Sequence, residues 1–192
     1  MINKETIENH LSEHLGVINL IDNSYIDKIY YCAELIVKTL QGGGTIFWCG
    51  NGGSASDSQH LAAELIGRYN KNRKPIRSIS LSSDAAVMTC ISNDFGYDDL
   101  FARQLEGLGK KGDILIAITT SGNSQNILNA INQAKRMQIH SIGLLGKGGG
   151  EAKLLCDNAI IVPSQTTARV QEMHILFGHI FCDLIEEGLG LK

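Results

Sequence analysis

The sequence has few residues that break or cross-link a chain. It contains two prolines in 192 residues, and its five cysteines are dispersed without any C-x-x-C pair. Most of these cysteines lie in apolar stretches, which favours reduced, buried thiols in a cytosolic protein over disulfides or a thiolate metal site. The length is sufficient for one α/β domain with a substantial core.

Other absences exclude whole classes of function. The net charge of −3, from 17 basic and 20 acidic residues, gives no electrostatic support for binding nucleic acid. No apolar run approaches the length that spans a bilayer, which argues against a membrane partner. Residues 1–20 carry Lys, Glu and His throughout, so we expect no signal peptide. The expected location is the cytoplasm.

Short apolar runs alternate with helical patterns along most of the chain. The runs that predict strands are residues 45–49, 76–81, 113–118, 140–145 and 159–162. This alternation is typical of a parallel sheet covered on both faces, and it predicts an α/β fold, a three-layer αβα sandwich with five strands. We expect one domain over residues 1–192, with a helical pair at 1–41 and an α/β core at 42–192.

The most informative stretch is residues 49–64, where a buried strand leads into a glycine turn and then a helix. Three glycines, Gly50, Gly52 and Gly53, occupy four positions. Glycine lets a ligand approach the backbone, and the first N–H groups of a helix favour negative charge, so the turn predicts an anion site. Along the same helix His60 and Glu64 share one face and offer a metal ligand and a carboxylate.

Known glycine motifs fit this turn less well. No Gly-Lys-Ser/Thr follows, which excludes a P-loop, but Gly50, Gly52 and Ala55 satisfy the dinucleotide pattern G-x-G-x-x-A. That pattern also requires an acid at the end of the next strand, and the candidate, Asp84, comes late and could instead cap the following helix. A turn that only connects strand to helix is the third interpretation.

A second polar loop, residues 119–124, follows the strand at 113–118. Its four hydroxyls and one glycine predict a phosphate site, because a simple helix cap would need one hydroxyl only. In parallel sheets ligands bind at the carboxyl ends of strands, where both polar loops lie. The glycine loop at 146–150 is expected to need only flexibility, although Lys147 could reach an anion.

Three further groups of polar residues remain ambiguous. Residues 92–97 predict a polar turn in which Asp94 either forms the turn or binds sugar hydroxyls. His10 and His14 are expected to be exposed or to contact another subunit. The last helix, at 167–187, is apolar nearly all round, which predicts that a partner subunit covers it.

Polar side chains on that last helix then need partners. On a helical wheel Gln171 and His179 fall within about 80° of each other, whereas His174 and His179 are about 140° apart and should not share a site. Asp183 is the fourth such group.

Six motifs together resemble one family. In chain order they are residues 49–54 (CGNGGS), 60–64 (HLAAE), 67–69 (GRY), 93–96 (NDFG), 120–124 (TSGNS) and 168–174 (ARVQEMH). They occur in the order of the sugar isomerase (SIS) domain family, and within it the phosphoheptose isomerases, across nearly the whole chain. The resemblance implies a flavodoxin- or Rossmann-like fold whose N-terminal helices serve oligomerisation.

The resemblance also implies an activity and a set of site residues. Such enzymes convert sedoheptulose 7-phosphate to D-glycero-D-manno-heptose 7-phosphate through an enediol, for lipopolysaccharide or capsule, as homotetramers with sites between subunits. One zinc per site would be bound by His60, Glu64, Gln171 and His179, with Glu64 and His179 catalytic. The substrate contacts implied are Asn51, Gly52, Gly53, Ser54, Glu64, Asn93, Asp94, Thr119, Thr120, Ser121, Ser124 and Gln171.

Two positions depart from the family pattern. Thr119 stands where some members have Ser, which keeps the hydroxyl, and Ala168 stands where some have an acid, so that contact is missing.

Some SIS paralogues have lost catalysis and serve as scaffolds, but they lose the acid or the late histidine, and this chain keeps Glu64 and His179. Phosphosugar-sensing modules usually carry a DNA-binding domain, and we do not expect such a module here.

Overall fold

The computed structural model describes residues 2–191, which form eight α-helices, two short 3-10 helices (Tyr97–Asp99 and Lys147–Gly149) and five strands. The helices are α1 (Lys4–Ile18), α2 (Asn23–Gln41), α3 (Gly53–Ile66), α4 (Ala85–Asp94), α5 (Leu100–Leu108), α6 (Gln125–Arg136), α7 (Ala152–Leu155) and α8 (Thr167–Gly188). The strands are β1 (Ile46–Gly50), β2 (Ser78–Ser80), β3 (Ile114–Thr119), β4 (His140–Leu145) and β5 (Asn158–Ile161).

All five strands are parallel and lie in the order β2-β1-β3-β4-β5. This confirms the predicted α/β fold with its five-stranded parallel sheet, and the strand order is that of flavodoxin-like folds. The direction of winding reverses between β1 and β3, which are neighbours. The loops that follow these two strands therefore lie side by side at one edge of the sheet.

Alternate residues of each strand face opposite layers of helices. Trp48 of β1 is buried in a cluster with residues of α2, α3 and α8, whereas its neighbour Phe47 is buried against α4, α5 and α6. Since side chains alternate along a strand, a strand buried on both faces must be apolar at every position, and β1 is. Helices on both faces of the sheet therefore pack against β1 and β3.

The predicted N-terminal helical pair is present. The break between α1 and α2 occurs at residues 19–22, where the carboxylate of Asp22 accepts hydrogen bonds from the N–H groups of Ser24 (2.9 Å) and Tyr25 (3.3 Å). Strand β4 has the predicted bounds. Asp84 caps α4 through the N–H of Val87 (3.0 Å), and this local role weakens the dinucleotide interpretation, which needs that carboxylate for a ribose.

The predicted polar turn at residues 92–97 is wrong for its first half. Helix α4 continues through Asn93 to Asp94, and the N–H of Phe95 still bonds to the carbonyl of Ile91 (2.9 Å). The turn preference of Ser, Asn and Asp is a weak local bias, and a helix already capped and packed through Ile91 outweighs it.

The environment of α8 also differs from expectation. Ten of its residues are buried within this single chain, including Met173, Phe177 and Phe181. Gly178 allows close packing on α3, since a Cβ there would lie 2.3 Å from Leu61 Cδ1. The apolar circumference of α8 is therefore filled largely by the chain's own helices, so it does not by itself require a partner subunit, and coverage of α8 by a partner stays a prediction.

The five cysteines are free thiols, and three of them, Cys32, Cys49 and Cys182, are buried. Burial raises the pKa of the Cys32 thiol to about 11 and that of Cys182 to about 12, which keeps both in the unreactive protonated form.

None of the helices within residues 2–191 combines the length and the apolar composition needed to cross a membrane.

Candidate active site

The glycine turn after β1 begins with a very close approach of two backbone segments. A Cβ at Gly50 would lie 2.4 Å from the carbonyl oxygen of Ser54, and Gly52 has a φ of +56°. Only glycine fits the first position without displacing the backbone, and L-residues are strained at the second. Helix α3 then starts at Gly53 without a side-chain cap, so its N-terminal dipole faces the turn.

Asn51, at the centre of this turn, is fixed by side chains from two other elements. Its amide exchanges two hydrogen bonds of 2.9 Å with the amide of Asn126 on α6, and its Oδ1 also accepts a bond from the Tyr97 hydroxyl (2.7 Å). Neither partner was singled out by the sequence, because both contacts depend on the tertiary fold.

The loop of residues 119–124 turns its hydroxyls toward the same edge. Thr119 Oγ1 accepts from the N–H of Gly122 (3.2 Å), and Ser121 Oγ accepts from the N–H of Asn123 (3.2 Å). Ser124 stands at the N-cap of α6 but makes no capping hydrogen bond with its side chain. The simple helix-cap interpretation therefore fails, and the Ser124 hydroxyl stays available to a ligand.

These two loops and α8 enclose one small polar cavity of about 70 Å³. Its lining consists of Ile118 and seven of the predicted substrate-contact residues: Asn51, Ser54, Thr119, Thr120, Ser121, Ser124 and Gln171. A cavity of this size, lined by hydroxyls, amides and a helix N-terminus, has the polar groups that bind a phosphate.

The glycine loop that precedes α7 has a more specific role than the flexibility expected of it. Gly148, Gly149 and Gly150 all have positive φ, and a Cβ at Gly122 would lie 2.0 Å from the carbonyl oxygen of Gly149. The N–H of Ala152 also bonds to the carbonyl of Gly122 (2.9 Å). The loop thus packs directly against the hydroxyl-bearing turn and supports its shape.

This packing predicts that Gly122→Ala destabilises the protein. The φ of +68° costs about 1–2 kcal/mol for an L-residue, and the clash with Gly149 adds about 1–3 kcal/mol. The matched control is Gly148→Ala, where φ is +80° but no atom lies within 4 Å of the new Cβ. Urea unfolding of both variants measures the difference, and equal losses would contradict the packing argument.

Three of the predicted metal ligands lie together farther along α3. His60, Glu64 and His179 each place one ligand atom within 4.8 Å of the others. The two histidine Nε2 atoms are 2.9 Å apart, and His60 Nε2 is 3.4 Å from Glu64 Oε1. Ligand atoms around a tetrahedral zinc ion are roughly 3.3 Å apart, given zinc–nitrogen bonds of about 2.0–2.1 Å, so this donor set fits zinc in type and spacing.

Gln171, the fourth predicted ligand, is placed differently. It precedes His179 by eight residues, about 12 Å along the axis of α8. Its Nε2 lies 2.4 Å from where a Cβ of Gly53 would stand, which places it over the glycine turn and in the polar cavity. The structure therefore groups Gln171 with the phosphate-type loops, and its metal ligation stays a prediction.

The remaining predicted contacts, Asn93 and Asp94, are exposed at the end of α4. The Asn93 amide donates to Asp94 Oδ1 (2.7 Å), and Tyr97, three residues later, bonds to Asn51. This bond ties the segment that carries Asn93 and Asp94 to the glycine turn.

His174 and the two N-terminal histidines lie outside the site. Burial lowers the pKa of His174 to about 4. The backbone of Leu145 partly opposes this lowering of the pKa. No described residue forms a regular hydrogen bond to either nitrogen of the His174 ring. His174 is therefore a neutral core residue. His10 is exposed as expected, but His14 is half-buried and bonds Glu172 on α8 of the same chain (2.6 Å).

Comparison with known proteins gives consistent matches in sequence. The SIS domain family model matches residues 12–146. The chain is 49% identical over 183 residues to the phosphoheptose isomerase of a Nitratiruptor species, and the aligned segment covers 95% of this chain and 98% of that protein. It is 48% identical over 188 residues to the phosphoheptose isomerase of a Helicobacter pylori strain, covering 98% of each.

Solved structures agree along almost the entire chain. The phosphoheptose isomerase of Neisseria gonorrhoeae superimposes with a TM-score of 0.91 at 36% identity, over 96% of this chain and 98% of that one. The phosphoheptose isomerase of Francisella tularensis gives a TM-score of 0.94 at 33% identity, and the match covers 97% of this chain and 100% of that one.

Proposed function

This chain belongs to the SIS domain family and, within it, to the phosphoheptose isomerases, and from this premise we propose that it converts sedoheptulose 7-phosphate to D-glycero-D-manno-heptose 7-phosphate. The family membership rests on the matches in sequence and structure over nearly all of the chain. The observation that carries the chemistry is the spacing of two sites along α3. Its N-terminus borders the polar cavity, and His60, with Glu64 and His179, lies about 10 Å farther along the helix.

That spacing suits a phosphosugar bound end to end. We assign the phosphate to the hydroxyls of Thr119, Thr120, Ser121 and Ser124, together with the N-terminus of α3. An extended heptose phosphate is comparable in length to the separation along α3, so its carbonyl end would reach Glu64 and His179. Asn51, Asn93 and Asp94 would then hold the sugar hydroxyls between the two ends.

An aldose–ketose isomerase must move one proton between adjacent carbons through an enediol. We assign this transfer to the Glu64 carboxylate, which takes the proton from one carbon and returns it to the other. His179, whose Nε2 lies 2.9 Å from Nε2 of His60, would exchange protons with the substrate hydroxyls, including during ring opening.

We further propose that His60, Glu64 and His179 hold zinc, and that Gln171 becomes a weaker fourth ligand when its side chain turns from the polar cavity toward this cluster. The fit rests on two imidazoles and one carboxylate at zinc-like spacing. Bound there, zinc supplies a Lewis acid that polarises the substrate carbonyl. Glu64 cannot be both a tightly held ligand and a free base, so we expect it to bind asymmetrically or to leave the metal during turnover.

We propose a homotetramer with its active sites at subunit interfaces. Helix α1 supports this, because Ile7, Leu11 and Leu15 form an apolar stripe that is about 60% exposed in the single chain. The His60 side chain is also 49% exposed, which leaves room for a second subunit to close the site. Residues 1–192 would act as one SIS domain, since α2 shares a core cluster with β1 and α8.

The product would enter the synthesis of nucleotide-activated heptose for lipopolysaccharide or capsule. We place the enzyme in the cytoplasm, where its buried free thiols would stay reduced.

The test is an assay of the purified, zinc-supplemented protein with sedoheptulose 7-phosphate in deuterated water, followed by NMR. We expect heptose phosphate with deuterium at C2, because Glu64 exchanges its proton with solvent. Product without deuterium would still establish isomerase activity, but it would contradict the exchange of the transferred proton with solvent at Glu64. A folded tetramer without turnover would refute the proposal and favour a catalytically inactive scaffold.

A further inference from the structure

The loop between α3 and β2, residues 67–77, contacts α8 directly beside the His60–Glu64–His179 cluster. The ring of Tyr69 stacks on the imidazole of His179, with centroids 5.7 Å apart and an interplanar angle of 26°. The His179 ring also makes an edge-type contact with the ring of His60, with centroids 5.2 Å apart and an interplanar angle of 68°. The imidazole therefore contacts two rings, of which only Tyr69 lies outside the cluster.

Tyr69 itself is fixed by a carboxylate in the core. Glu186 is completely buried on α8, and its two oxygens accept the N–H groups of Tyr69 (3.1 Å) and Asn70 (3.2 Å). The Asn70 amide also donates to Asp183 Oδ1 (2.7 Å), one helical turn after His179. These bonds fix the backbone of the loop against the same helix that carries His179.

The same carboxylate is linked to α3 through Arg73. Arg73 Nε bonds Glu186 Oε1 (2.8 Å), and the two side chains are 2% and 0% exposed. The other end of the guanidinium donates to the carbonyls of Leu65 (2.7 Å) and Glu64 (2.9 Å), at the end of α3. Arg73 and Glu186 therefore join the two helices that supply the cluster.

We propose that Tyr69 is a positioning residue that holds the His179 imidazole in the orientation that directs Nε2 at His60 and Glu64. This inference rests on the proposed function for its catalytic consequence, but its geometric part stands on the stacked rings alone. A loop that served only to connect α3 to β2 would need neither a buried carboxylate at its backbone nor a ring on His179. Tyr69 touches no reacting atom and acts through His179.

The test compares Tyr69→Leu, which removes the ring, with Tyr69→Phe, which keeps it, and uses Tyr31→Leu at an exposed position of α2 as the matched control. Zinc affinity is measured by competition with a chromophoric chelator. A stacked aromatic pair contributes roughly 2–10-fold to an equilibrium constant, so we expect a loss of zinc affinity of that size in Tyr69→Leu. Tyr69→Phe and Tyr31→Leu should bind zinc like the wild type.

Two further measurements separate positioning from general stability. At saturating zinc, Tyr69→Leu should lower kcat with KM nearly unchanged, because the phosphate-type loops are untouched. In the metal-free protein, the His179 ring protons should shift in the NMR spectrum of Tyr69→Leu but not in that of Tyr69→Phe, since the phenyl ring preserves the ring current.

The inference would be overturned if Tyr69→Leu kept the zinc affinity, the kcat and the ring-proton shifts of the wild type. It would also be overturned if Tyr69→Phe lost as much zinc affinity as Tyr69→Leu, because that result would implicate the hydroxyl instead of the ring. Failure of the proposed function would appear separately, as a wild type that binds zinc but does not turn over the phosphosugar. The zinc affinities and the metal-free spectra would still decide the role of Tyr69 in that case.

Discussion

Glu64→Gln should lower kcat by roughly 10²–10⁴-fold, the range that a positioned general base contributes, while the protein stays folded and keeps the oligomeric state of the wild type. Glutamine has nearly the same shape as glutamate but cannot accept a proton from carbon. The site around it should persist, because Glu64 lies on α3 between the buried residues Leu61 and Leu65. Steady-state assays with sedoheptulose 7-phosphate measure kcat and KM, and circular dichroism with size-exclusion chromatography reports the fold and the assembly.

A zinc titration decides whether the lost activity reflects a missing base or a weakened ligand. If Glu64 served only to hold the metal, excess zinc would refill the site of Glu64→Gln and restore turnover. We expect zinc binding to saturate while kcat stays low. Recovery of near-normal activity at high zinc would remove Glu64 as the base.

The control for the substitution itself is Glu106→Gln, on the exposed side of α5. It makes the same chemical change away from the site and should leave kcat and KM at their wild-type values. The exchange of deuterium into C2 gives a second readout, since Glu64→Gln should slow exchange and turnover together. Exchange that continued at the wild-type rate would indicate another base.

The sequence alone located the parts of the site that depend on short-range rules. His60 and Glu64 are four residues apart on a helix, so their shared face follows from helix geometry. Residues 50–54 and 119–124 meet because both follow strands of a parallel sheet, and the reversal between β1 and β3 makes them neighbours. The convergence of seven predicted contact residues on one cavity follows from these two rules together with the family resemblance.

The contacts that hold these parts in place were not predictable in the same way. Arg73 and Glu186 are 113 positions apart, and Asn51 and Asn126 are 75 apart. No local pattern pairs them, because an arginine or an asparagine in a polar segment is usually solvated. Tyr69 was part of a recognised motif, yet its stacking on His179 depends on how α8 crosses α3, which hydrophobic periodicity does not determine.

The error about α4 and the overstated argument about α8 have a common physical cause. Local preference suggested a turn at residues 92–94, and a helical wheel suggested a partner around α8, but in both cases packing within the chain decided the outcome. Gly178 shows this for α8, since its missing side chain lets α3 approach and bury a face that the wheel assigned to another subunit. Intrachain burial must therefore be counted before an apolar helix is assigned to an interface.

Glu186→Gln should reduce the free energy of unfolding by about 3–5 kcal/mol, although residue 186 touches no predicted ligand or substrate. The substitution leaves the buried Arg73 guanidinium without an opposite charge, and both groups are almost inaccessible to water. The Gln amide can still accept one or two of the bonds from Tyr69, Asn70 and Arg73 but cannot match a carboxylate. Urea unfolding at fixed protein concentration measures the change, with Glu106→Gln, expected within about 0.5 kcal/mol of wild type, as the control.

The pH dependence of that difference gives a sharper test. Burial by itself raises the pKa of Glu186, but the N–H of Tyr69, the Arg73 guanidinium and the N–H of Asn70 outweigh it, and the pKa in the folded protein lies below its ordinary value of 4.5. The carboxylate therefore stabilises the fold fully above pH 4.5, and its contribution is lost as the pH falls through the lower folded pKa. Since Gln does not titrate, the stability gap between wild type and Glu186→Gln should be largest near neutral pH and narrow under acidic conditions. If the stability difference stayed constant down to the pH of acid unfolding, the lower stability of Glu186→Gln would come from the changed shape of the side chain. The buried charge pair would then not join α3 to α8 as the contacts indicate.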